Sequence, residues 1–263
     1  IMDHNRCILC RRCIRACSEL AANNTLGVKF RGAKTMVSAD MDISFGESTC
    51  VACGSCLQVC PTGALIDRKS AYTGRNAQVE RTQSVCLFCS VGCGIEIVTR
   101  AGRVLRVEGE WEEHNRGVLC AAGRFEPVYD NRERIKTPLI RKNGDLVPAT
   151  WDEALDVIAA KLKTTKGNKV GAWTTCKTLN LTMSELFAVF QGKVGAHVGV
   201  LEPTLAELEL LLGGTLSDLV ASDCILVVGA DPLSNHRVLG YHIKRARMKG
   251  AQVLLVSGES NEL

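Results

Sequence analysis

Twelve of the fourteen cysteines in this 263-residue chain fall into three sets of four, and their spacing limits what the chain can fold around. Cys7-x2-Cys10-x2-Cys13-x3-Cys17 returns almost unchanged as Cys50-x2-Cys53-x2-Cys56-x3-Cys60. The third set is Cys86-x2-Cys89-x3-Cys93-x26-Cys120. Tight C-x-x-C repeats favour metal ligation over a disulfide framework. Zinc sites usually join two separated knuckles, which suits two triplets poorly and competes better for the isolated third set.

A cubane core needs four thiolates, of which one tight loop can supply three. In a C-x2-C-x2-C-x3-C-P run the last cysteine serves the other cluster. Cys7, Cys10, Cys13 and Cys60 are therefore assigned to one [4Fe–4S] cluster, and Cys50, Cys53, Cys56 and Cys17 to a second. Pro61 follows Cys60 as the pattern asks, whereas Ser18 follows Cys17. Cys86, Cys89, Cys93 and Cys120 form the third set, its last ligand returning after a hairpin.

The formal charge of +4 counts every thiol as neutral. Twelve thiolates and three +2 cores would turn it to about −2, so the basic balance is no signal for nucleic acid. Apolar residues at 46% and charged residues at 23% are those of a soluble globular protein. No apolar run reaches the ~18 residues of a membrane span, and Arg11-Arg12 lies inside a cysteine motif without an export-signal core behind it. A cytoplasmic location is expected. Both ends read as cut from something longer.

The expected organisation is α+β at the start and α/β at the end. Residues 1–70 form a two-cluster ferredoxin-like domain and residues 71–84 a polar linker. Residues 85–136 form a small β-rich domain around the third set, with a hairpin turning at Ala101-Gly102. Residues 125–149, with Pro127, Pro138 and Pro148, read as an extended connection. Residues 137–263 form a partial α/β parallel-sheet domain. In it Thr150-Trp151-Asp152-Glu153 is a capping box before a helix with Ala154, Leu155, Ile158 and Leu162 at helical spacing. Strands are expected at Val170–Trp173, Cys224–Val228 and Gln252–Val256, and helices near 181–193, 204–212 and 234–249.

Residues 3–66, from DHNRCILCRRCIRAC to CVACGSCLQVCPTGAL, resemble the two-cluster segment of the large iron–sulfur subunit of the complex I family and of NAD-linked formate dehydrogenase. Residues 85–124, from VCLFCSVGCGIEI to NRGVLCAAGRF, resemble the cluster-binding domain of molybdopterin oxidoreductases, and residues 137–263 are similar to the start of their α/β region. The resemblance implies an upstream [2Fe–2S] domain and a His/Cys3 cluster, which this sequence does not carry.

Catalytic members of that family place a lysine two residues after the fourth cluster cysteine, where this chain has Ala122. They place a metal-ligating cysteine or selenocysteine in a loop that here reads GAHVGVLEP, residues 195–203. They also end a strand in an Asp-Pro-Arg-like turn, where Val256 is followed here by Ser257-Gly258-Glu259. No molybdopterin is therefore expected. Cys224 and Cys176 read as small packed side chains, and His4, His114 and His236 as non-ligands. Gly54, Gly63, Gly92 and Gly94 are expected to let backbone N–H groups approach cluster sulfur.

The expected function is one-electron transfer through three [4Fe–4S] clusters in an NAD(P)-linked oxidoreductase complex. The partners implied by the resemblance are a flavin-bearing, NAD(P)H-oxidising subunit and a hydrogenase or formate dehydrogenase module. The alternatives are a fragment of a catalytic molybdenum or tungsten formate dehydrogenase, and a zinc-stabilised interaction module.

Overall fold

The first two cysteine loops share one backbone device. Leu9 and Arg11 flank Cys10 at φ 55° and 60°, and Ala52 and Gly54 flank Cys53 at φ 53° and 68°. Left-handed residues on each side of a middle cysteine curl the loop, so that its three cysteines line one cavity. Only one of the four is glycine, so the loops hold strain of about 1–2 kcal/mol at each of the other three.

The computed structural model describes every residue except 131, 134, 175–184, 186, 201–213 and 259–262. Helix α1 (Arg12–Arg15) follows the first loop and continues as a wider turn over Ala16–Leu20. Strands β1 (Leu26–Lys29) and β2 (Met36–Ala39) pair antiparallel, and α2 (Ser55–Gln58) follows the second loop. Leu26, Val37, Ala39 and Leu65 form a small core whose other buried members are Cys13 and Cys17. Apolar burial here thus holds the sulfur atoms themselves away from water.

Strands β3 (Glu80–Val85), β4 (Gly94–Arg100) and β5 (Arg103–Gly109) make an antiparallel sheet, with a bulge at Val98/Thr99. The polar segment 71–84, expected as linker, therefore ends in a strand. β3 is exposed along its whole length, so it lacks the apolar alternation by which a strand is read. Helix α3 (Ala121–Tyr129) starts directly after Cys120 and tolerates Pro127, where the sequence predicts an extended connection from residue 125.

Residues 131–211 form a separate compact unit. Strands β6 (Leu139–Lys142) and β7 (Asp145–Pro148) join in a hairpin through Asn143-Gly144, both at positive φ, the two-residue turn that matches strand twist. Helix α4 (Trp151–Thr164) carries the expected capping box: the Glu153 N–H donates to Thr150 Oγ1, and the Thr150 N–H donates to Glu153 Oε2. Leu155 and Ile158, two of the apolar residues at helical spacing, are exposed. Strands β8 (Gly171–Thr174) and β9 (His197–Val200) are parallel. Of the two helices expected at 181–193 and 204–212, the described part is Phe187–Lys193, which is helical; the rest lies outside the described residues.

Residues 212–263 group with residues 1–130, although the sequence predicts one α/β domain over 137–263. They comprise α5 (Leu216–Ala221), β10 (Cys224–Val228), α6 (Pro232–Asn235), α7 (Arg237–Met248) and β11 (Gln252–Val256). β10 and β11 are parallel. Only Ile225 and Val227 of β10 are buried; Cys224, Leu226 and Val228 are exposed. The expectation of a packed Cys224 on a strand covered on both faces is corrected accordingly. The grouping has a physical cause: α7 buries Val238 among the residues around Cys86 and Cys93, and Tyr241 against Cys53 and Val118.

Candidate metal centres

One cavity is lined by Cys7, Cys10, Cys13 and Cys60, together with Met2, His4, Ile8 and Leu65. A second is lined by Cys17, Cys50, Cys53 and Cys56, together with Thr25, Phe45 and Gly54. Each cavity thus gathers three cysteines of one loop with the last cysteine of the other. The two are neighbours, since Cys56 feels the charge of Cys13 as well as that of Cys53, Cys50 and Cys17.

The third set closes in the same way. Cys86 feels Cys120 and Cys89, and Cys93 feels Cys86, Cys89 and Cys120. Cys86 and Cys93 sit on either side of the turn between β3 and β4, where the Cys86 N–H donates to the Cys93 carbonyl at 2.8 Å. Cys120 arrives by a loop pinned at Asn115, which is fully buried. Its Oδ1 accepts from the Gly94 N–H at 2.8 Å, and its Nδ2 donates to the carbonyls of Gly94 and Val118. Gly123, in the first turn of α3, lies under the set: a Cβ there would stand 3.2 Å from Cys86 Sγ.

The electrostatics of the thiols point to a cationic core. Burial, then neighbouring sulfur, pushes Cys56 and Cys93 far above an ordinary thiol, and burial raises Cys13, Cys17, Cys50 and Cys86. So many buried thiolates are costly unless metal charge compensates them, and a coordinating thiol is deprotonated outright. Backbone donors are already in place. The N–H groups of Leu65, Thr62 and Ala64, with the Thr62 hydroxyl, outweigh burial at Cys60 and hold it below the usual thiol value. The Ala52 N–H approaches Cys50 Sγ at 3.4 Å.

Among the described residues, no three His, Cys, Asp or Glu side chains converge as they would on a single metal ion. The cysteines of the first two sets instead surround cavities, and two buried hydroxyls near the cysteines, Ser55 Oγ and Tyr241 OH, have no hydrogen-bond partner. Buried hydroxyls are normally satisfied. A sulfur-rich polynuclear core fits this donor set and offers the acceptors those hydroxyls lack. His4 lines the first cavity beside the cysteines. His114 Nε2 contacts the Val91 carbonyl and His236 Nε2 contacts Ser90 Oγ. Cys176 lies outside the described residues.

Sequence reasoning missed Gln58, Asn115, Arg124 and Tyr241. Arg124 is 4% exposed, and burial lowers its pKa to about 10. The available signals were weak: a polar Gln58 between two ligands, and an arginine one helical turn after Cys120.

Three family profiles cover the chain in succession. They are the 4Fe-4S dicluster domain over residues 6–64, the molybdopterin oxidoreductase Fe4S4 domain over 79–129, and molybdopterin oxidoreductase over 134–262. Among curated proteins, a subunit of an NADH-quinone oxidoreductase of Rhizobium meliloti is 29% identical over 100% of this chain and 32% of its own length. Another NADH-quinone oxidoreductase subunit, from Thermus thermophilus, is 35% identical over 91% of this chain and 30% of its own. A putative formate dehydrogenase of Staphylococcus aureus is 32% identical over 60% of this chain and 20% of its own. The chain spans about a third or less of the length of these relatives.

Proposed function

Because the chain belongs to the molybdopterin oxidoreductase family, in the form that carries 4Fe-4S domains, and is an oxidoreductase component, we propose that it is an electron-relay subunit holding three [4Fe–4S] clusters. The observation that carries this reading is the exchange of fourth cysteines, which puts Cys60 with Cys7, Cys10 and Cys13 and Cys17 with Cys50, Cys53 and Cys56. Cys86, Cys89, Cys93 and Cys120 hold the third cluster. Cluster chemistry supplies reversible one-electron reduction. The chain's own residues keep water from the sulfur atoms, present N–H donors to them and set the spacing between centres.

The relay runs from the first centre, whose Cys10 is exposed, through the second to the third. Electrons enter or leave at Cys10. No side chain has to act as acid, base or nucleophile. The names of the relatives support a complex with an NADH-oxidising partner. In the proposed chain that partner carries a flavin and oxidises NAD(P)H, and a terminal module of hydrogenase or formate dehydrogenase type is the other end. No helix among the described residues is long and apolar enough to cross a membrane. We place the complex in the cytoplasm.

The region over 134–262 is read as lacking molybdopterin. Ala122, in the first turn of α3, offers no cation at the position where catalytic members carry lysine. The similarity to a putative formate dehydrogenase supports a second reading, that of a segment of a catalytic molybdenum or tungsten enzyme. Metal analysis of an anaerobic preparation separates the two. The relay predicts about twelve iron and twelve sulfide per chain with no molybdenum, tungsten or zinc. Stoichiometric molybdenum or tungsten establishes the second reading, and zinc without iron overturns both.

A further inference from the structure

Between the second and third cysteine sets stand a buried cation with no carboxylate partner and a buried hydroxyl with no hydrogen-bond partner. Arg124 donates from Nε to the Cys53 carbonyl at 3.2 Å, and from Nη1 to the Val107 carbonyl at 3.0 Å and Gln58 Oε1 at 2.7 Å. Its Nη2 reaches the Gly117 carbonyl at 3.4 Å. All four acceptors are neutral. Among the described residues no carboxylate lies within ion-pair distance of it, and Glu108, the acid whose charge it feels, is committed to Arg106 and Arg81. Buried charges are normally paired. The cysteines whose charge it feels are Cys53, Cys56 and Cys120, drawn from both sets.

Tyr241 comes from α7, far along the chain from Arg124. It is 2% exposed, packs against Cys53 and Val118, and has no partner for its hydroxyl. It too feels sulfur of both sets, through Cys53, Cys120 and Cys50. An unpaired cation and an unpaired hydroxyl therefore share one wall, and the candidate anions on its two faces are cysteine-held cores. A [4Fe–4S] core with four thiolates carries a formal charge of about −2, and about −3 after accepting one electron. A fixed positive charge and an O–H donor both favour the more negative state.

We propose that Arg124 and Tyr241 set the reduction potentials of the clusters at the second and third cysteine sets, the guanidinium as a permanent counter-charge shared by both and the phenol as an O–H donor to sulfur. Both raise the potentials they touch. Arg124 shares a cavity wall with Cys60 of the first set but makes its hydrogen bonds at Cys53, and Tyr241 packs against Cys53, so the first cluster is raised least. The step is the arrival of one electron, with no proton moved. This proposal rests on the three-cluster reading above.

The test is an anaerobic redox titration followed by electron paramagnetic resonance, after iron and sulfide have been counted on the same protein. Tyr241→Phe removes one oxygen and keeps the ring packed. It is expected to retain full iron and to lower the reduced-to-oxidised ratio of an affected cluster roughly tenfold at fixed potential, about 59 mV for one electron. Arg124→Gln lowers both affected clusters; Arg124→Lys, which keeps the charge, shifts them less. The first cluster shifts least in every variant. Should Arg124→Gln lose iron, Tyr241→Phe and Arg124→Lys decide the question. Full iron with unchanged potentials in those two variants overturns the proposal, as does an equal shift of all three clusters. Wild-type protein without iron overturns the cluster reading instead.

Discussion

Gln58 and Gly109 exchange two hydrogen bonds across 51 residues of chain: Gln58 Nε2 donates to the Gly109 carbonyl at 2.7 Å, and the Gly109 N–H donates to Gln58 Oε1 at 2.9 Å. The amide side chain pairs with that residue as a strand backbone would. Because Gln58 lies between Cys56 and Cys60, and Gly109 ends the sheet that carries the third set, one side chain ties the first two centres to the third. The same Oε1 accepts from Arg124 Nη1.

Gln58→Ala is therefore expected to leave the Gly109 N–H and one Arg124 donor without partners. The loss should be about 2–4 kcal/mol, since each buried unsatisfied group costs roughly 1–3. Anaerobic denaturant unfolding measures it. A change below about 0.5 kcal/mol would show that water replaces the amide at no cost.

Replacing one ligand removes one centre. Cys53→Ser is expected to remove the second cluster and Cys89→Ser the third, each lowering iron from about twelve to about eight per chain. Paramagnetic spectra of the two variants should lack different signals. Identical spectra, or undiminished iron, contradict the assignment of these residues.

Gly54 and Gly102 separate backbone strain from steric fit. Both have positive φ, 68° and 72°, but a Cβ at Gly54 would lie 2.8 Å from Arg124 Nε, whereas at Gly102 nothing lies within 4 Å. Gly102→Ala should cost about 1 kcal/mol for the left-handed backbone alone. Gly54→Ala should cost clearly more and speed iron release, because Arg124 must move. Equal costs would mean that Arg124 yields freely.

His242 gives a pH dependence of known sign. It is 2% exposed, its Nδ1 lies 2.8 Å from the Val238 carbonyl, and burial, followed by the charges of Arg245 and Arg116, lowers its pKa. The unfolded chain then holds the extra proton near its ordinary value of about 6.5. Stability from this group is complete above that pH and falls as pH drops towards the lowered folded value. His242→Asn should flatten that part of the profile, measured as thermal midpoint against pH. An unchanged slope assigns the acid sensitivity elsewhere.

The three cysteine sets, the repeat of the first two and the hairpin around the third are legible in the sequence because they depend on local spacing. Three residues between thiols make a curled loop whatever follows. The capping box at Thr150 and Glu153 is legible for the same reason. The strand Glu80–Val85 is not, because backbone pairing with β4 holds it and it carries no buried face. The turn at Asn143-Gly144 is a local signal too, but the prolines on either side of it, Pro138 and Pro148, suggest an extended chain instead.

By itself the sequence determined which cysteines can share a loop and led to the expectation that the fourth cysteine of each run serves the other loop. Only the tertiary structure decided what stands between the centres. Arg124 and Tyr241 belong to different helices that no sequence motif connects. Their placement beside Cys53 follows from how α3 and α7 pack, and helical periodicity says that a face is buried without saying against what.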